Sequence, residues 1–132
     1  MYAVEALGYI ASLPQGEAVK AKDIAALLNI PEHFLGKVLS QLVKKKFINS
    51  TKGPTGGFTL LVNPNSITLY RILASLDALS NLEDECVMGL KECSNVHPCA
   101  FHENWIKFRE EAIIRAQKLT LTELSEIVMA KL

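Results

Sequence analysis

The sequence predicts a mainly α-helical chain with one small β-hairpin and a long helix in its second half. Three observations carry that expectation. Apolar residues recur at three- and four-residue spacing through most of the 132 residues, two short β-type runs flank a turn holding three of the seven glycines, and proline-containing breakers separate the periodic stretches. At this length one domain with a real core is expected. No window approaches the roughly 18 uninterrupted apolar residues of a membrane span.

The elements follow in order. Tyr2, Ala3, Ala6, Leu7, Ile10 and Leu13 mark a first amphipathic helix, ended by Pro14-Gln15-Gly16. After an extended piece at Ala18-Val19, Ile24, Leu27 and Leu28 mark a second helix over 22–29, broken by Asn29-Ile30-Pro31. Pro31 suits the first turn of a third helix. That helix runs to about Lys46, with Leu35, Val38, Leu39, Leu42 and Val43 inward and His33, Lys37, Ser40, Gln41, Lys44 and Lys45 outward. Runs 47–51 and 58–62 read as strands joined by the longer turn Lys52-Gly53-Pro54-Thr55-Gly56-Gly57. A helix over about 68–79 follows, then an aperiodic stretch from Ser80 to Pro98 that holds the acidic run Glu83-Asp84-Glu85. Helical pattern returns over 100–118, and Thr120-Leu121-Thr122-Glu123 has the form of a capping box opening a last helix.

Lys+Arg and Asp+Glu balance at 14 each, which taken alone discourages nucleic acid as a partner. The average conceals a division: residues 1–66 carry seven Lys against four acidic groups, and residues 67–132 carry seven basic against ten acidic groups. The apolar start lacks a basic n-region and is interrupted by Glu5, so it reads as the first helix and not as a secretory signal. Three cysteines without such a signal point to a reducing cytoplasm, where thiols stay reduced or bind metal.

Helix, helix, short turn, helix, hairpin is the order of a winged helix-turn-helix, in which the third helix enters the major groove and the hairpin tip touches the backbone or minor groove. His33, Lys37, Gln41 and Lys44 supply donors at three- and four-residue spacing, and Lys52 on the wing suits a phosphate. Gly56 and Gly57 offer peptide N–H groups to phosphate oxygens. A Lys-rich helix face by itself is more often simply solvated; the whole arrangement carries the argument. The Gly-rich turn has neither the Gly-Lys-Ser/Thr ending nor the following helix of a nucleotide loop. No catalytic Ser/His/Asp set or carboxylate pair occurs, so neither an enzyme nor a small-molecule substrate is expected.

Cys86, Cys93 and Cys99 fall within 14 residues, and His102 follows Cys99 by three. The set suits tetrahedral zinc with three Cys and one His, or an iron–sulfur cluster with three thiolates and an atypical fourth ligand. Absence of a close Cys-x2–4-Cys pair favours the cluster. Buried or unliganded thiols, with His97 and His102 as ordinary loop residues, are the plain alternative.

With these motifs in hand, the chain resembles the Rrf2 family of bacterial winged-helix transcription regulators. The matching residues are Tyr2-Ala3-Val4-x-Ala6-Leu7, Ile24-Ala25, Phe34-Leu35 with Leu39 and Leu42, the wing Lys52-Gly53-Pro54-Thr55-Gly56-Gly57-Phe58, and Cys86…Cys93…Cys99-Ala100-Phe101-His102 with Trp105. The resemblance spans nearly the whole chain. It implies a homodimer on a double-stranded DNA operator, paired through a long dimerisation helix at about 103–118. The DNA-binding set then also takes in Phe34, Gly53, Pro54 and Thr55 of the matching motifs and Ser40 of the outward helix face.

The same resemblance implies that Cys86, Cys93 and Cys99 ligate a two-iron or four-iron cluster sensing iron–sulfur, redox or nitric oxide status. His102 is the local fourth ligand; in some relatives it comes instead from the partner's first helix, where this chain offers Met1 or Glu5. The expected organisation is a winged helix-turn-helix in 1–66 and a cysteine loop with dimerisation helices in 67–132, forming one integrated domain. The alternative is a zinc-bound or metal-free regulator controlled by a protein partner or thiol oxidation. Gly36-Lys37, and a first cysteine gap one residue longer than in the best-known cluster regulator, leave operator and cluster type open at this point.

Overall fold

The computed structural model describes residues 2–79 and 98–132. Cys86 and Cys93, with the rest of 80–97, lie outside the described residues. The described elements are α1 (Tyr2–Ser12), α2 (Ala21–Leu28), α3 (Glu32–Lys44), β1 (Ile48–Thr51), β2 (Gly57–Leu60), α4 (Leu69–Ser75), α5 (His102–Lys118) and α6 (Leu121–Ala130). This is the expected mainly helical chain with a two-stranded antiparallel hairpin. Among the described residues no helix is long and apolar enough to cross a membrane.

The chain divides into two compact units, 1–67 with 120–132, and 68–119. In the first, Ala6, Leu7 and Ile10 of α1, Ile24 of α2 and Leu35, Leu39 and Leu42 of α3 are buried, as their helical spacing requires. Ile48, Leu121 and Leu124 are buried in the same unit.

Helix α2 ends through Asn29 in the left-handed region (φ 55°), with the Ile30 N–H donating to the Ala25 carbonyl at 3.1 Å. Helix α3 ends in the same way. Lys46 takes φ 65°, the Phe47 N–H donates to the Leu42 carbonyl at 3.0 Å, and Phe47 and Leu42 are both buried. These are Schellman endings, in which a left-handed residue reverses the chain and an apolar contact closes the last turn. The turn at Lys46 is why α3 stops at Lys44, two residues short of the expected end.

The hairpin pairs Ile48 with Leu60, Asn49 with Thr59, Ser50 with Phe58 and Thr51 with Gly57. The extended piece before α2 joins it. Val19 donates to the Phe58 carbonyl at 3.1 Å and accepts from the Phe58 N–H at 2.7 Å, forming a bridge on the outer edge of β2.

Helix α6 opens with the expected capping box, Thr120 and Glu123 each bonding the other's backbone N–H. It packs along α1, and at Gly8 the two helices come so close that an added Cβ would lie 2.9 Å from Val128 Cγ2. Its first turn is tied to the segment after the wing: the Leu121 N–H donates to Ile67 at 2.8 Å, and the Thr122 N–H to Pro64 at 3.2 Å. Residues 120–132 follow α5 in sequence, yet they share a compact unit with 1–67.

In the second unit α4 packs against α5, and the Leu69 N–H donates to the Leu119 carbonyl at 2.8 Å. Ile72, Leu73, Leu79 and Ala116 are buried there. Thr68 caps α4 by accepting from the Arg71 N–H. Asp77 (φ 55°) ends the helix in a third Schellman turn, the Ala78 N–H donating to Leu73 at 2.9 Å, which is why α4 is shorter than 68–79.

Candidate nucleic-acid interface

Helix α3 is anchored on one side by Leu35, Leu39 and Leu42 and is open on the other. His33, Phe34, Lys37, Ser40, Gln41, Lys44 and Lys45 are all exposed. Three leucines clamped in the core fix the rotation of the helix, so the outward set is presented as a fixed pattern of donors. The His33 and Phe34 rings lie 4.3 Å apart with an interplanar tilt of 35°.

In the wing, Lys52, Gly53, Pro54 and Thr55 are exposed at the tip. Gly53 sits at φ 101°, a conformation that favours glycine. Gly56 differs from the sequence expectation. It is buried, and its N–H is donated to the Gly53 carbonyl at 3.0 Å, so that group serves the turn and not a phosphate. A Cβ on Gly56 would run into the Thr51 carbonyl oxygen and come within 2.7 Å of the Lys52 carbonyl carbon. At Gly57 (φ 142°) a Cβ would lie 2.6 Å from the Val19 oxygen. Both glycines therefore let the strands and the Val19 edge close together, and Lys52 through Thr55 form the outward tip.

Lys20 was absent from the sequence-derived set. It is exposed, and it lines a cleft of about 250 Å³ together with Ser50, Thr51, Gly53 and Gly57 of the wing. Its signal was faint but readable: Lys20 occupies the N-cap of α2 with no side-chain cap bond, a position where Ser, Thr, Asp or Asn is preferred.

Of the four expected metal ligands, Cys99 and His102 are described. Cys99 is half-buried, His102 is 8% exposed, and the His102 N–H donates to the Cys99 carbonyl at 3.1 Å. One turn thus holds both residues at the start of α5, the positive end of that helix's dipole, which favours an anionic group. A thiol and an imidazole in one turn belong to the donor chemistry of zinc and of iron–sulfur sites.

From Phe101, the N-cap of α5, an apolar stripe runs along that helix and is partly exposed among the described residues. Phe101 and Phe108 are more than half exposed, Trp105 and Ala112 half-buried, and the Trp105 and Phe108 rings stack at 5.8 Å. These positions fall at spacings of four, three and four residues, one side of a helix.

A family model described as Rrf2, iron-dependent transcriptional regulator, matches residues 1–127. An HTH-type transcriptional regulator of Aquifex aeolicus is 35% identical over 112 residues, covering 83% of this chain and 76% of that protein. The HTH-type transcriptional regulator NsrR of Geobacillus kaustophilus is 31% identical over 96 residues, 73% of this chain and 60% of its own. Among solved structures, CymR, the global cysteine regulator of B. subtilis, matches with a TM-score of 0.72 over 96% of this chain and 92% of that one, at 24% identity. That last likeness is one of fold.

Proposed function

The chain belongs to the Rrf2 family of winged-helix, DNA-binding transcriptional regulators, and from that premise we propose that it works as a homodimer on a double-stranded operator and answers to a three-cysteine sensing loop. The family is non-enzymatic, and some of its members bind iron–sulfur clusters.

The DNA-binding part rests on α3 and the wing. His33, Phe34, Lys37, Ser40, Gln41 and Lys44 meet base edges and flanking phosphates, while Lys52, Gly53, Pro54 and Thr55 meet the backbone beside the groove. Gly56 and Gly57 shape the wing that carries them. The exposed Phe101 and Phe108, on one side of the helix with Trp105 and Ala112, support pairing of two copies through α5, because single chains rarely expose contiguous aromatic surface. A dimer matches the two-fold symmetry of a paired half-site and sets the separation of its two α3 helices. The work is cytoplasmic, where DNA and reduced thiols coexist.

The observation that carries the sensing part is the turn joining Cys99 to a buried His102 at the first residue of the proposed dimer helix. In this reading Cys86, Cys93 and Cys99 hold an iron–sulfur cluster, with His102 as fourth ligand. Such a cluster supplies iron whose bonding to thiolate is open to oxidants and nitric oxide. Cys99 and His102 pass a change at the loop to α5, since a shift of the Cys99 carbonyl is felt directly at the His102 N–H. Coupling between loop and operator then follows if the two loop states favour different α3 separations. The test is purification without oxygen. A brown protein with iron and acid-labile sulfide, losing both on Cys99→Ser, is expected; a colourless protein with one zinc per chain, or with no metal and unchanged operator binding, overturns the cluster assignment.

A further inference from the structure

We propose that Phe34 reads the 5-methyl group of a thymine in the operator, which makes it a determinant of sequence choice and not simply part of the contact surface. The inference rests on the DNA-binding role of α3. Phe34 is 48% exposed on a helix whose other large apolar residues, Leu35, Leu39 and Leu42, are buried almost completely. Its ring lies 4.3 Å from that of His33, tilted by 35°. It belongs to the N-terminal two turns of α3, the part of a recognition helix that meets base edges, and a helical side chain leans towards its own N-terminus.

Base edges in the major groove present mostly donors and acceptors; the thymine methyl is the one apolar group that projects from them, and apolar side chains are its matching contact. Lys37 and Gln41, three and seven residues on, share the exposed side of the helix with Phe34. They can take the neighbouring hydrogen-bonding edges, Gln at adenine and Lys at guanine. An apolar ring beside such a set costs solvation in the free protein and has its complement in the thymine methyl.

The test uses the full-length protein, isolated without oxygen, and a duplex that it has itself selected from a random-sequence library. Each thymine of that duplex is replaced in turn by deoxyuridine, which removes the methyl and leaves every hydrogen-bonding group. The expected result is one thymine per half-site at which the change weakens binding roughly three- to ten-fold, the scale of one buried methyl. Phe34→Ala is expected to bind the thymine and deoxyuridine duplexes equally and to keep the wild-type salt dependence, while Phe34→Leu keeps part of the discrimination. No methyl-sensitive thymine with the wild type overturns the proposal, as does a Phe34→Ala variant that still discriminates. A Phe34→Ala variant altered in oligomeric state while the wild type ignores the methyl assigns the ring to a protein contact instead. Failure of the wild type to enrich any sequence overturns the DNA-binding assignment beneath it.

Discussion

Gly56 governs the wing through the absence of a side chain. Its hydrogen occupies space that a methyl group would contest with the Thr51 oxygen and the Lys52 backbone, both fixed by the hairpin. Gly56→Ala is therefore expected to cost about 1–3 kcal/mol and to weaken DNA binding by displacing Lys52, as read by urea unfolding and by titration with an operator duplex. The glycine-rich turn was plain in the sequence, but two different uses of glycine look alike there, exposing an N–H and admitting a close backbone. Only the Gly56–Gly53 hydrogen bond separates them. The left-handed residues that end α2, α3 and α4, Asn29, Lys46 and Asp77, were hidden for a related reason: glycine usually marks such endings, and none of the three is glycine. Asn tolerates this conformation better than most residues. Asn29→Ala is expected to destabilise the fold by about 1 kcal/mol, and Asn29→Gly to be close to neutral, by the same unfolding measurement.

At the scale of elements, each described helix and strand announced itself through local pattern, and each was placed within a few residues of its observed ends. The Thr120–Glu123 capping box was legible because its two partners are three residues apart. Thr120→Ala removes the side-chain acceptor and is expected to lower stability by about 1 kcal/mol and to increase amide exchange in the first turn of α6. Where α6 goes was not legible. Its packing on α1 joins residues more than a hundred positions apart, and no local pattern encodes that. Gly8, inside a run that otherwise reads as an ordinary amphipathic helix, is its one trace in the sequence. Gly8→Val is expected to cost about 1–3 kcal/mol by forcing Val128 and α6 away from α1, visible as a lower melting temperature. The edge bridge from Val19 to β2 was half legible, as an extended piece without an assigned partner.

Over the whole molecule, a formal charge of zero conceals a basic half that carries α3 and the wing and an acidic half that carries the three cysteines. Lys37 and Lys52 lie exposed on α3 and the wing and were legible as candidates because their helix and turn were; Lys20 left only a faint sign, a lysine where a capping residue is preferred. A formal charge of zero limits non-specific attraction, so in the proposed dimer operator affinity would depend on a small number of placed cations and on the spacing of two α3 helices. The most direct measurement of this account is operator affinity as a function of salt for the wild type and for Lys37→Ala with Lys52→Ala. The double variant is expected to bind more weakly, with a log–log salt slope shallower by about 0.9 for each phosphate that the protein no longer neutralises. Equal affinity and an equal slope in the two proteins would contradict the assignment of α3 and the wing as the DNA-binding surface.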